Sequence, residues 1–407
     1  MRLKYTHLRV RWGLAEDTKD TTREAAPAEV GRVLVINPGT TSTKIGIFTR
    51  AGEEFARNIH HGDDEIQRFK GRPMLDRLEF RAEKIEAALA EAGYWPSGVS
   101  GGSGVSGVSS ARWAAVAGRG GLLPPMECGT YLVDDAMVEE LRRAPRGEHA
   151  SNLGAPLALR FARASGVNAY IVDPVTVDEW QPCARMTGSP LLQRTFIGHA
   201  LNTKAVAKRY ARELGRPYAE LRLMVAHMGS GITVSAHRGG RMVDSNSIEE
   251  GPFGPDRSGS LPVRALIKLC CSGKMTEKEL DRHVFGDGGI FAYLGTRDLK
   301  EVEARMDAGD EQAAAVFEAM VYQIGKETGA MAAVLEGKVD AVLLTGGMAH
   351  SQRLVQRLRG YIEWIAPVVV NPGEDELRAL AEGVFRALDG EEEAKTVVSG
   401  QGSENRE

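Results

Sequence analysis

Asn37, Thr40, Thr41, Ser42, Thr43 and Lys44 crowd a short span between two apolar runs, Val33-Leu34-Val35-Ile36 and Ile45-Gly46-Ile47-Phe48. Hydroxyls, backbone N–H groups and one cation so close together suit a polyanion. They supply positive potential, while Gly39 lets the main chain approach the ligand. An ordinary polar hairpin turn is the other reading of this stretch taken alone. The pattern returns where Leu223-Met224-Val225-Ala226 runs into His227, Met228, Gly229, Ser230 and Gly231, and Ile232-Thr233-Val234 runs out. A third corner, Thr345-Gly346-Gly347-Met348, follows the apolar run from Val339 to Leu344. No GxxxxGK[ST] occurs, so this is not a P-loop, and no GxGxxG opens a helix after the first strand, so it is not a dinucleotide fold.

Such corners work only if rigid elements hold them. The apolar flanks read as strands, with Pro38-Gly39 forcing the first turn. Strands alternate with helices along the chain, and three strand-to-glycine corners predict a duplicated α/β fold closing around one phosphate-rich ligand. Tyr131 to Leu141, Ala200 to Leu214, Val263 to Cys271 and Arg297 to Met306 carry helical spacing, and Gly166 and Gly215 serve as C-caps. Leu78, Ala82, Ile85 and Leu89 mark an amphipathic helix that ends at Gly93. Asp310 to Leu335, Ala-rich and interrupted by Gly325 and Gly329, is one buried helix or a kinked pair. Asn168 to Asp173 reads as a strand ending in a carboxylate, and Asp375 to Leu388 as a final helix.

The length, 407 residues, allows two domains, and 51 basic against 55 acidic residues, net −4, argues against nucleic acid as a partner. No apolar run is long enough for a membrane span, and the charges scattered from Arg2 to Glu29 leave no signal-peptide core. Cys128, Cys183, Cys270 and Cys271 show neither CxxC spacing nor a disulfide framework, which fits a reducing cytoplasm and a packing role. Residues 1–30 read as a disordered extension or as upstream sequence from an early start codon. Residues 97–110 read as a Gly/Ser-rich loop insertion, and 391–407 as an acidic polar tail.

The loop from Asn37 to Lys44 resembles the first phosphate loop of the acetate kinase family, a branch of the actin-like, sugar-kinase-like ATPases. Four further segments resemble its butyrate kinase subgroup: His149 to Pro156, His199 to Ala205, Glu250 to Gly259 and Pro372 to Leu377. The similarity runs from Val33 to Leu388 in the family's order. It implies a duplicated actin-like (ribonuclease H-like) fold with its active site in the interdomain cleft. Domain I would comprise 31–178 plus 374–390, because the last helix packs back onto it, and domain II 179–373. The resemblance also implies ATP and Mg²⁺, a short-chain carboxylate as acceptor, and a homo-oligomer.

The same resemblance assigns roles. Arg119 and Arg257 match the active-site arginines, one near the carboxylate and one near the moving phosphoryl, where a planar fork can bind two oxygens. Exposed loop arginines are the alternative for either taken alone. His199 matches a histidine that donates to a phosphoryl oxygen, although Ile197-Gly198 precedes it where the family carries an aromatic residue. A helix-capping histidine is the alternative. Asn37, Gly39, Thr40, Ser42 and Lys44 would cradle the terminal phosphates, with His227, Gly229, Ser230 and Gly231 opposite. Thr345, Gly346 and Gly347 would receive the adenosine. His149 and Asn152 would join Arg119 on the substrate side. Asp173 and Glu376 resemble two carboxylates that help hold Mg²⁺, largely through water; for Glu376, favouring its own helix N-terminus is the alternative. His60 and His61 read as solvated loop residues.

The chemistry so implied is conversion of butyrate and ATP to butanoyl phosphate and ADP, reversibly and in line. A fatty acid is already ionised at neutral pH, so its carboxylate needs no general base, only positioning and relief from repulsion. Isobutyrate, propionate or acetate is the alternative acceptor, since a methylene is worth only about 1–3 kcal/mol of discrimination. A sugar kinase would need a catalytic aspartate, with Asp173 the one candidate, and an actin-like ATPase would need no acceptor.

Overall fold

The computed structural model describes residues 31–96 and 113–397. The extension over 1–30 and the insertion over 97–110 lie outside them. Strands β1 (Arg32–Pro38), β2 (Ser42–Thr49) and β3 (Gly52–His60) form an antiparallel meander, followed by helices α1 (Asp63–Gln67) and α2 (Leu78–Glu91). Next come β4 (Trp113–Arg119), β5 (Thr130–Leu132), α3 (Asp135–Arg143), α4 (Gly154–Ser165) and β6 (Asn168–Val172). β4 runs parallel to β1, and β6 parallel to β4.

After α5 (Pro182–Arg185) and α6 (Ala200–Glu213) the plan repeats. β7 (Leu223–Met228), β8 (Ile232–Arg238) and β9 (Arg241–Ser245) form a second meander. Helices α7 (Val263–Cys270), α8 (Glu277–Phe285), α9 (Gly289–Leu294), α10 (Leu299–Asp307) and α11 (Glu311–Val334) lead to β10 (Ala341–Gly346). α12 (Gln352–Ile362), β11 (Val368–Pro372) and α13 (Glu376–Leu388) complete the chain's elements.

The sheet orders are β3-β2-β1-β4-β6-β5 and β11-β10-β7-β8-β9. Counted outward from β1 and from β7, they match strand for strand: two antiparallel neighbours on one side, two parallel on the other. That match is the duplication the glycine corners predict. β5, antiparallel to β6, is the addition to the first sheet.

Each sheet is covered by helices. Leu34, Ile36, Ile45 and Ile47 pack with Ala82, Ile85, Leu89 and Phe161 of α2 and α4. On the other face, Val33, Val35, Ala115 and Val172 meet Leu380 and Val384 of α13 and Leu201 and Ala205 of α6. The second half of α6, through Val206, Ala207 and Ala211, lies on Val225 and Leu343 of the second sheet. One helix thus serves both cores. Burial of each Val, Leu, Ile or Phe side chain among them contributes roughly 1.5–3 kcal/mol. No helix of the described residues is long and apolar enough to cross a membrane.

Several local expectations change. Tyr131 to Leu141 is not one helix: Thr130–Leu132 is β5, and the Asp134 side chain caps α3 by accepting from Met137 N at 2.8 Å. The cap fixes the helix start, and β-favouring residues precede it. Asp310 to Leu335 is a single helix, not a kinked pair. Residues 391–397 are not a free tail, because Lys395 pairs with β5 through Lys395 N to Thr130 O and Leu132 N to Lys395 O, both 2.8 Å. Cys183, Cys270 and Cys271 are exposed rather than packed, Cys270 because no residue of α7 is buried.

Candidate active site

The β1–β2 corner and the ends of β4 and α13 build the first cluster. Asn37, Pro38, Gly39, Thr40, Ser42, Lys44, Arg119, His149, Ala150, Ser151 and Glu376 line a cavity of about 230 Å³. Arg119 ends β4 and forms an ion pair with Glu376 Oε1, while Asn37 Nδ2 donates to Glu376 Oε2 at 2.6 Å. His149 Nδ1 accepts from Ser151 N at 3.2 Å, so the neutral ring carries its proton on Nε2. Burial first, then the Arg119 and Arg257 cations, hold its pKa below the usual histidine range.

The second cluster forms at the β7–β8 corner. His227 is buried at the end of β7, and its ring stacks on His199 with centroids 4.0 Å apart and planes 18° from parallel. Asn202 Oδ1 holds His227 Nδ1 at 2.9 Å, and Thr233 Oγ1 holds His199 Nδ1 at 2.9 Å. His199 is the residue before α6. Burial, then His227, Arg257 and Arg119, push its pKa well below the ordinary value, so it is neutral. A Cβ at Gly198 would lie 2.7 Å from the Phe196 ring, so the aromatic two residues upstream packs directly on this glycine.

Arg257 reaches this corner from the Pro/Gly loop before α7. A Cβ at Gly231 would lie 2.8 Å from Arg257 Cζ, so the guanidinium rests directly on the glycine. Burial lowers its pKa, offset by Asp256. Glu374, just beyond β11, joins the two clusters. Its Oε1 is 3.2 Å from His227 Nε2, off the line of a good hydrogen bond, and a Cβ at Gly229 would lie 2.5 Å from it. His227 holds the Glu374 carboxyl below its usual range against the effect of burial, aided by Lys44 and Arg119.

Three expected site residues face elsewhere. Asn152 is buried and accepts from Leu122 N at 2.9 Å while donating to Gly147 O at 3.2 Å, so it braces the loop behind Arg119 rather than the cavity. Thr345 is buried and donates to Gly373 O at 3.2 Å. Gly346 (φ 90°) lies against Met228, 2.6 Å from its carbonyl carbon by the place a Cβ would take, whereas Gly347 borders open space. Ser230 is exposed at the corner.

Asp173 follows β6 with φ 39° and is held there by Gly129 N donating to Oδ1 at 2.7 Å. Among the described residues no group of three or more His, Cys, Asp or Glu could hold a metal. Mg²⁺ asks for less, one or two carboxylates with waters and phosphate oxygens; of the two expected carboxylates Glu376 lines the first cavity, whereas Asp173 is not among its lining residues. Both oxygens of Glu376 already accept from protein, so its contact with such an ion would run through water, which fits the sparse set.

Sequence reasoning missed Glu374, Asn202 and Thr233, although the first two stand inside motifs singled out for their neighbours. It also misread His61, which is buried, with Nε2 2.9 Å from Thr43 Oγ1; only His60 is exposed. Arg81, on α2, is buried against the first loop, and its place in an amphipathic repeat gave no sign of that.

Residues 189–363 match the family model described as the acetokinase family. The chain is 46% identical over 366 residues to a probable butyrate kinase from each of two strains of Clostridium botulinum, covering 89% of this chain and 99% of each relative. Its fold is similar to that of a Porphyromonas gingivalis acetate kinase, with TM-score 0.71 and 18% identity over 87% of this chain and 99% of that one. A propionate kinase from Francisella tularensis gives 0.67 and 14%, over 86% and 98%. The two-sheet architecture is therefore the actin-like ATPase fold of those kinases.

Proposed function

Because this chain belongs to the acetokinase family, we propose that it transfers the γ-phosphoryl of ATP to butyrate, giving butanoyl phosphate and ADP. The observation that carries this reading is the convergence of two arginines on paired phosphate corners, Arg119 at the first and Arg257 at the second.

A carboxylate oxygen of butyrate attacks the γ-phosphorus as the bond to the bridging oxygen of ADP breaks, and no proton moves. Asn37, Thr40, Ser42 and Lys44 donate to the phosphate chain. Arg119 orients the carboxylate after exchanging its partner Glu376 for it, and His149 Nε2–H faces the same cavity. Arg257 follows the charge spreading over the transferring oxygens. His199, neutral and oriented by Thr233, donates from Nε2 to one of those oxygens. Asp173 and Glu376 would hold Mg²⁺ through water, and the ion would supply charge neutralisation on the phosphates. Asp173 as a sugar-kinase base is disfavoured, because its carboxylate is engaged by Gly129. Hydroxylamine added to a reaction with MgATP and butyrate should trap butanoyl hydroxamate in step with ADP. ADP without hydroxamate would refute the transfer.

A further inference from the structure

Arg81 is 1% exposed, and among the described residues no carboxylate lies within ion-pair distance of it. Its Nη1 donates to Ser42 O and Thr43 Oγ1, both at 2.8 Å, and its Nη2 to Thr40 O at 3.1 Å; Nε has no partner among the described residues. Gly39 N also donates to Ser42 O at 2.8 Å, and His61 N to Thr41 O at 3.0 Å. Every carbonyl of the turn from Thr40 to Ser42 therefore points at a protein donor. Burying a charge without a counter-ion is costly and is retained where it does something. Burial brings this guanidinium down to about 10, with Arg77 adding to the effect, so it stays charged at neutral pH.

We infer that Arg81 is the positioning residue of the first phosphate loop: its buried guanidinium draws the loop carbonyls inward, turns the N–H and hydroxyl side toward the cavity, and leaves its own charge to be balanced by the bound phosphates. The inference rests on the phosphate-binding reading of that loop. It identifies a cation behind the loop, distinct from Lys44 in front of it.

Titration calorimetry of wild type, Arg81→Gln and Arg81→Lys with MgATP and with adenosine tests this, alongside kcat. Arg81→Gln should weaken MgATP at least about tenfold and leave adenosine within about twofold, because only the phosphates feel the charge. Arg81→Lys keeps the charge but not the fork, so MgATP binding should stay within about threefold while kcat falls about tenfold. Wild-type MgATP affinity in folded Arg81→Gln overturns the inference. So does an equal loss for ATP and adenosine, which a merely structural role would give. Should Arg81→Gln not fold, unchanged kcat in Arg81→Lys overturns it. A wild type that binds MgATP yet ignores butyrate would refute the kinase reading alone, because the Arg81 comparison reads only nucleotide binding.

Discussion

Gly231→Ala should cripple turnover without disturbing the fold. The new methyl would lie 2.8 Å from Arg257 Cζ and 3.3 Å from Nε, whereas ordinary contact begins at 3.4 Å. The guanidinium must retreat by roughly 1 Å, a displacement that costs about 100-fold in rate when it falls on a group aligned with the reacting atoms. That is about 3 kcal/mol of transition-state stabilisation. Stability should hardly change: Gly231 is not among the positive-φ glycines, and the atom displaced is the tip of a side chain. Gly→Ala at a permissive site even favours the fold by about 0.4–1 kcal/mol. ADP formation with MgATP and butyrate, followed by a coupled assay, gives kcat, and thermal melting gives the control. Arg257→Ala should lose about 1,000-fold, and Gly231→Ala should add nothing in that background, since the two act through one contact. A folded Gly231→Ala with kcat within about threefold of wild type would refute the placement of Arg257. A full 100-fold loss persisting in the Arg257→Ala background would refute the route and assign the effect to direct contact between Gly231 and phosphate.

Two further outcomes concern stability. Lys204 and Glu179, both buried, pair at 2.5 Å, and Glu179 also accepts from Met242 N at 2.9 Å and Cys128 N at 3.3 Å. Lys204→Met should lower unfolding free energy by about 3–5 kcal/mol in urea titrations, because it leaves a buried carboxylate uncompensated; a loss below about 1 kcal/mol would show the pair to be dispensable. Acid should also destabilise the protein well above the carboxylate range. Burial, then Arg81, hold His61 down to about 4 against an ordinary 6.5. Between those values the unfolded chain binds a proton that the folded ring refuses, so stability present above pH 6.5 is lost as pH falls toward 4, by roughly 3 kcal/mol for this group. Urea midpoints should fall from pH 7 to 4.5 and the slope should flatten in His61→Gln; midpoints rising toward acid would contradict the sign.

The two polar glycine corners were legible because their signals are local. Asn37 to Lys44 and His227 to Gly231 state their chemistry in consecutive residues, and the structure sets both at strand turns of matching sheets. Glu376 and Arg119 each stand out in the sequence, but not as partners of each other, because 257 positions separate them and only the return of α13 joins them. Arg81 and His61 were not legible. An arginine beside Ala82 in an amphipathic run looks solvated, and only the packing of α2 under the β1–β2 turn buries it. Asn152 misled in the opposite way: its motif lies at the site, while its amide is engaged by the backbone of two loops.

The most direct measurement is ADP production from MgATP with acetate, propionate, butyrate, isobutyrate, valerate and glycerol compared at equal concentration. Negligible ADP is expected without an acid and a maximum at butyrate, with isobutyrate and propionate lower. Steady ATP hydrolysis that no acid stimulates would contradict the proposed transfer.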